Sequence, residues 1–354
     1  MRCKLIFTFI LLALFYGCKN KTVDTDENRP VWKTFSKSNT AGILSDNILT
    51  IYISGTGSVW FGSDSGAFYY HSNSWNYPPP DSFNYTVGPN KTVKREISAI
   101  SEGKSGSMWF GLRFAGSYGI RRMNTIDARE KWQKYNVGSN NIRGIVSYEL
   151  NSEKIWIATT NGASIYTFTD ENDQTKGRLD DIPTSNFIDP MINCAAINQK
   201  NGYVYFGMNT GVSYYNINLS SWSNEFLPAG YQSVIRSIAV QYTSNIVWLG
   251  KDLGVTSFTP GDTAQHYTTI NTDGKLPYGT VNAVMTDFFS TTRWFGTNAG
   301  LVQLKNNEWK TFTTDDTPEL PSNIIKALYY DYVKKNLWIG TDKGIAVYNE
   351  SGVQ

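Results

Sequence analysis

Few residues in this chain are of types and spacings that could do covalent or metal chemistry. Of its 354 residues two are histidine, His71 and His266, standing 195 positions apart. No His-x-x-x-His or Cys-x-x-Cys spacing occurs to hold a zinc ion. The acidic runs Asp24-Thr25-Asp26-Glu27 and Asp170-Glu171-Asn172-Asp173 lack the glycine hinge of a calcium loop. They read as solvated surface. No Gly-x-Ser-x-Gly elbow is present to aim a serine nucleophile. Of three cysteines, Cys3 and Cys18 lie near the start, and Cys194 is left alone, unable to form an internal disulfide. No metal, cofactor or nucleophile is expected. What remains is non-covalent chemistry: guanidinium, ammonium and amide groups together with an unusual supply of aromatic rings.

The elements that position these groups follow from composition and period. Aromatics make up 14% of the chain and charged residues 18%. That aromatic content excludes a disordered chain. The crowding out of Ala, Glu and Leu by Gly, Asn, Ser, Thr and Tyr excludes a coiled coil. One pattern recurs seven times: an aromatic, an aliphatic or Phe, Gly or Ala, a polar loop, then Gly. Its leading aromatics are Trp60, Trp109, Trp156, Tyr205, Trp248, Trp294 and Trp338, separated by 49, 47, 49, 43, 46 and 44 residues. Each copy follows an apolar strand start: Ile48, Ile97, Ile142, Ile192, Ile235, Val281 or Ile325. A second apolar residue stands three positions later in nearly every copy, as Ile51 does after Ile48. In a regular strand that spacing puts the two on opposite faces, so both faces are expected to be buried. A third strand follows the loop glycine, and many copies add a fourth headed by Trp.

Four short strands per repeat, buried on both faces, specify an all-β, seven-bladed β-propeller with four-stranded blades. A pair of β-sandwiches would leave the repeat unexplained. The seventh copy lacks a fourth strand, while Trp32-Lys33-Thr34-Phe35 precedes the first copy and nearly duplicates Trp309-Lys310-Thr311-Phe312. The N-terminal strand is therefore expected to complete the last blade and close the ring, removing two open edges. The leading aromatics are expected to be interblade core, and Cys194 buried packing. The glycine after each aromatic is expected to permit close packing, and the loop glycine to supply a positive φ.

The run Leu320-Pro321-Ser322-Asn323-Ile324-Ile325, followed by Leu337-Trp338-Ile339-Gly340-Thr341-Asp342-Lys343-Gly344-Ile345, resembles the two-component regulator propeller repeat. Leu44-Ser45-Asp46-Asn47-Ile48 with Val59-Trp60-Phe61-Gly62 does so too. The resemblance covers residues 31–354. In its best-known setting this repeat builds periplasmic sensor regions of Bacteroidetes hybrid histidine kinases that respond to glycan fragments. The resemblance thus implies sensing or binding. The sequence ends at the seventh blade, so kinase activity does not carry over, and a stand-alone relative is expected.

In a propeller the inner strands begin around one mouth of the central channel. The residue after each first aliphatic is Leu49, Ser98, Arg143, Asn193, Arg236, Asn282 or Lys326. Six are polar and three of those cationic. Arg143, Asn193, Arg236, Asn282 and Lys326 are taken as candidate ligand contacts, the other reading being pairing with carboxylates or solvent. Departures from the repeat add a candidate rim: Tyr85 in the connection Asn76–Glu96, then Arg113, Phe114 and Tyr118 in an expanded loop. Phe187 in the connection Asp180–Pro190, Tyr231 and Tyr278 complete it. Aromatic faces with Arg suit neutral or acidic sugars and equally a protein partner. The function read here is a non-catalytic binding or sensing module. A polysaccharide-lyase-type propeller, needing a base and a cation at the mouth, and a pure protein-interaction scaffold are the alternatives.

The first residues supply an address. Arg2 and Lys4 precede the apolar run Leu5–Tyr16, and Gly17-Cys18 follows. This resembles a bacterial lipoprotein signal, with Phe15 where Leu is usual. It implies a leader over 1–17, lipidation of Cys18, a tether over 18–30 and the propeller over 31–354. An ordinary signal peptide is the alternative. The excess of 32 Lys+Arg over 30 Asp+Glu is contributed by Arg2 and Lys4. The remainder is balanced and gives no reason to expect nucleic acid. A monomer at the cell envelope is expected, lipid-anchored at the outer membrane or a periplasmic face, meeting a glycan fragment or an envelope protein.

Overall fold

The computed structural model describes residues 31–354 apart from 79–82, 84, 87–91, 94–95, 104–105, 125–130, 149–153, 171–175 and 288–290. Cys18 and the leader lie outside the described residues. Seven four-stranded antiparallel sheets follow one another along the chain, with a two-stranded hairpin (Tyr85–Thr86 with Thr92–Val93) between the first two. The first strands of the blades are Ile48–Ile53, Ile97–Glu102, Ile142–Tyr148, Cys194–Asn198, Ile235–Val240, Val281–Thr286 and Ile325–Asp331. Each contacts the first strand of the next blade, and the seventh contacts the first, so the ring is closed. No helix among the described residues is long and apolar enough to cross a membrane.

Closure is made as the duplicated motif predicts. Trp32–Phe35 is the outermost strand of blade seven, pairing antiparallel with Ile345–Tyr348 in the register Trp32↔Tyr348 to Phe35↔Ile345. Trp32 packs on Phe312 of blade six and Tyr348 of its own blade, with ring centroids 5.6 and 4.7 Å away. Phe35 meets Trp75 of blade one edge-on at 5.1 Å. One short strand thus joins three consecutive blades.

The seven leading aromatics are all at most 5% exposed, as core residues should be. Between blades, the first aliphatic of one inner strand lies over the glycine that follows the leading aromatic of the preceding blade. A Cβ on Gly340 would stand 2.6 Å from Ile48 Cγ2, and one on Gly296 2.6 Å from Ile325 Cγ2. Blade three carries Ala158 in that slot, and there the next inner strand begins only at Cys194, leaving Ile192 outside the ladder.

The inner strands depart from regular geometry in one respect. In six blades the register with the second strand slips immediately after the first aliphatic, as between Ile48 and Thr50. One residue is thereby extruded as a β-bulge. Ile48 and Ile51 then oppose Ser63 and Phe61, two positions apart, and so share a face. Both belong to the cluster that includes Ala327 and Trp338 of blade seven. The expectation of opposite faces is corrected accordingly: the bulge absorbs the odd residue. The loop glycines also divide. Gly66, Gly162, Gly254, Gly300 and Gly344 have φ between 76° and 134°, whereas Gly119 and Gly211 do not adopt positive φ.

Two stability outcomes follow. Gly296→Ala should cost about 1–3 kcal/mol by overpacking, read by denaturant unfolding. Gly116→Ala, whose added Cβ meets nothing within 4 Å, should be nearly neutral. Equal stability of the two variants would refute the close-approach argument. Phe35→Ala should cost about 3–5 kcal/mol as a large-to-small core substitution, and an unchanged melting curve would show that the N-terminal strand does not close the ring.

Candidate functional site

The bulge determines where the candidate side chains go. Each bulge residue stands between two inner-strand neighbours that pack sideways into the blade interfaces, and it projects into the channel instead. The residue after the first aliphatic in every blade, the six bulge residues Leu49, Ser98, Arg143, Arg236, Asn282 and Lys326 together with Asn193 of blade four, lines one cavity of about 310 Å³ at the channel mouth. A further cavity of about 210 Å³ continues along the channel between the inner strands. The five candidate contacts therefore converge, and Arg113 from the expanded loop of blade two joins them in the mouth lining.

A second ring, not anticipated from the sequence, backs the first. It comes from the loop between second and third strands, at the second residue after the blade glycine. Asp252 accepts both arms of Arg236, at 2.6 and 3.1 Å. Asn282 Nδ2 donates to Asn298 Oδ1 at 2.8 Å and to the carbonyl of Ile325 at 2.9 Å. Asn193 Nδ2 donates to Asn209 Oδ1 at 3.0 Å, and Asn209 in turn to Asp189. Lys326 Nζ donates to Asn47 Oδ1 at 2.6 Å, and Asn47 Nδ2 to Asp64 at 3.0 Å. Burial opposes the Asp64 charge, but hydrogen bonds from Ser45, Asn47 and Ser65 and the Lys326 charge prevail and lower its pKa. The signal was available, since this loop position holds Asp, Asn, Thr or Arg in every copy.

The pairing reading thus holds for Arg236, but the cations are not alike. Arg113 lies 3.8 Å from Glu96, a loose contact. Among the described residues Arg143 makes no ion pair, and its Nε is buried without a hydrogen-bond partner. Burial first, and then the charges of Arg113 and Arg236, hold its guanidinium below the usual arginine range.

The rim residues scatter. Phe114 and Tyr118 are exposed and hold φ of 55° and 53°, a left-handed conformation costly for bulky side chains. Hydrogen bonds from the Tyr118 and Gly119 amides to Asn136 and Asn140 fix that loop. Tyr278 is exposed, and neither it nor Tyr231 is in the mouth lining. Tyr85 lies in the hairpin, and its side chain is outside the described residues. Phe187 is corrected outright: it is buried and packs edge-on against Phe206 and Trp222, at 5.4 and 5.1 Å. The connection assigned to it is shorter than expected, because Gly177–Ile182 is the fourth strand of blade three. A single turn at Thr184–Asn186 then folds Phe187 inward. Burying the ring against blade four gains more than exposing it.

Tyr231 has a different role. Its ring stacks on His266 at 3.6 Å with an interplanar angle of 7°. Lys251, 1% exposed, donates to the Tyr231 carbonyl at 2.8 Å. Ser or Thr at the Lys251 position in four other blades caps the loop glycine's carbonyl instead. Cys194 is buried with its thiol pushed up to about 12 by burial, which suits packing. Among the described residues no group of three or more His, Cys, Asp or Glu side chains could hold a metal ion.

Burial, and then the Lys251 charge, lower the His266 pKa from 6.5. The unfolded chain therefore binds this proton more readily. The stabilising contribution is complete above pH 6.5 and declines as pH falls toward the lower folded value. NMR should place the His266 midpoint below 6.5, and His266→Gln should flatten the acid-side decline in melting temperature; a midpoint at or above 6.5 would contradict this.

Neither a scan of protein-family models nor a search of curated proteins returns a match. Solved structures do match. The extracellular domain of a putative one-component system from B. thetaiotaomicron superposes with a TM-score of 0.68 at 18% identity, over 90% of this chain and 39% of that one. The extracellular domain of a putative hybrid two-component system from the same organism gives 0.67 at 16%, over 90% and 41%. A catalytically inactive virginiamycin B lyase from Staphylococcus aureus, with quinupristin, gives 0.64 at 14%, over 89% and 98%. The chain spans about two fifths of the length of these two extracellular domains. Its propeller fold is therefore shared with part of the extracellular domains of these putative one-component and hybrid two-component systems, as the repeat resemblance implied.

Proposed function

We propose that this chain is a non-catalytic binding or sensing module of the cell envelope, with a small polar ligand seated at the channel mouth. The convergence of the six bulge residues and Asn193 on one cavity carries the reading. The position accepts the apolar Leu49 in blade one, yet six of the seven residues there are polar. The cavity falls in the size range of ligand sites. Its cationic and amide groups suit the hydroxyl and acid groups of a glycan fragment. The likeness to extracellular domains of putative one-component and hybrid two-component systems supports a sensing role away from the cytoplasm. On this reading Cys18 is the lipidated residue and 19–30 the tether, and the protein acts as a monomer.

A lyase would need a base beside the cation. Among the described residues the mouth lining contains no Tyr or His, which favours binding over elimination. A protein partner remains the second reading, motivated by the exposed Phe114 and Tyr278 on the surrounding loops.

A thermal-shift screen of the purified protein against neutral and acidic oligosaccharides tests the proposal. A ligand that binds the native state raises the melting temperature, by RT ln(1 + [L]/Kd) in stability. The expected result is a shift with at least one oligosaccharide that is lost on Asn282→Ala or Lys326→Ala. No shift across the panel would defeat the glycan reading, and crosslinking in the envelope would then identify a protein partner.

A further inference from the structure

Four cations line the mouth: Arg113, Arg143, Arg236 and Lys326. They are not equally available. Arg236 is held in a two-point pair by Asp252. Lys326 is tied to Asn47, with Asp64 behind it. Arg113 has Glu96 at 3.8 Å and is braced through its backbone amide, which donates to the Glu96 carbonyl at 2.9 Å. Arg143 alone has no carboxylate among the described residues, and its Nε, like that of Arg113, is shut away from water with nothing to bond.

A guanidinium placed so is a costly arrangement. Arginine carries its five donors in a fixed fork that matches the two oxygens of a carboxylate. Here the fork is half-buried, faces the cavity, and feels the like charges of Arg113 and Arg236. Nothing in the packing of the ring calls for it, since the same bulge position accepts Leu49, Ser98 and Asn193 in other blades. Phe114, exposed on the same loop, stands beside Arg113, whose guanidinium carbon is 5.9 Å from the ring centre.

We propose that Arg143, supported by Arg113, is the anion-recognition element of the mouth, and that the ligand is a small molecule bearing a carboxylate. This rests on the reading of the mouth as the ligand site. It assigns the polar selectivity to blades two and three, while the amides of blades four and six serve hydroxyl or carbonyl groups of the same ligand. Arg236 and Lys326 shape the mouth and do not supply its anion preference.

The test uses matched acids and methyl esters, so that shape is held and charge is removed. D-Galacturonic acid and its methyl ester represent a sugar source, and N-acetyl-L-phenylalanine and its methyl ester a peptide source. Each is titrated calorimetrically against the purified full chain. One acid should bind at least about tenfold more tightly than its ester, the scale of one good charge-assisted contact. That preference should weaken at high salt. Arg143→Gln should abolish it with no fall in melting temperature, because the substitution relieves repulsion, whereas Arg178→Gln, at an exposed arginine on the outer strand of blade three, should keep it.

An acid and ester that bind alike would overturn the anion assignment and leave the mouth reading standing. An acid preference that survives Arg143→Gln would move the site to another cation and overturn it equally. If neither acid binds at millimolar concentration the proposal fails, and neutral oligosaccharides then decide the mouth reading separately. A large drop in the melting temperature of Arg143→Gln would show the residue to be structural and would also refute it.

Discussion

The ring depends on one repeated contact, an aliphatic side chain at the start of an inner strand pressed over a glycine of the blade before it. Ile48 over Gly340 and Ile325 over Gly296 are instances, each with room for a hydrogen and none for a methyl group. This contact sets the spacing of neighbouring blades at the channel. It also has to coexist with a second aliphatic, three residues on, that packs against the same neighbour. A regular strand cannot place residues i and i+3 on one face. The bulge resolves the conflict by setting one residue aside. That residue has no interface to enter, and the channel is the space left to it. The constraint that closes the ring therefore also builds the ring of side chains at the mouth.

Most of this was legible in the sequence for a physical reason. Repetition makes each blade confirm the others, so strand number, blade number and closure could be read from spacing and from the duplicated Trp-Lys-Thr-Phe. The mouth residues were legible too, because their position in the repeat is fixed even though their types vary. The bulge was not, since apolar spacing of three is consistent with two faces or with one face and an extruded residue. The irregular loops misled most. Phe187 looks like a rim aromatic when the fourth strand of blade three goes unrecognised, as that strand lacks the usual Trp. The loop glycines Gly119 and Gly211 share a sequence position with Gly66 and Gly300 but not their backbone conformation. A repeat in sequence constrains packing more tightly than it constrains turns.

Charge distinguishes the mouth from the rest of the ring. Among the described residues its lining holds four cations and no carboxylate, and the second ring of loop residues neutralises or braces most of them. Arg236 with Asp252 and Lys326 with Asn47 and Asp64 are self-sufficient arrangements that give the rim a fixed shape. The expanded loop of blade two breaks the pattern. It places Arg113 where other blades offer Asp, Asn or Thr, while blade three itself sets only the neutral Thr160 at this position behind Arg143. Fold and site thus part company at this loop: the fold tolerates it, and the electrostatics of the mouth are changed by it.

The central claim, that bulge positions face an anion-attracting channel mouth while their neighbours face the blade interfaces, can be measured without knowing the ligand. Single cysteines at Ser98 and Asn193, and at their neighbours Ile97 and Ile192, would be introduced with the buried Cys194 as internal control. Small thiol reagents of opposite charge would then be compared for rate. The account predicts that Ser98→Cys and Asn193→Cys react, faster with the anionic reagent than with the cationic one, and that Ile97→Cys and Ile192→Cys stay protected in the folded protein. Equal labelling of both sets, or faster reaction with the cationic reagent at Ser98→Cys, would contradict it.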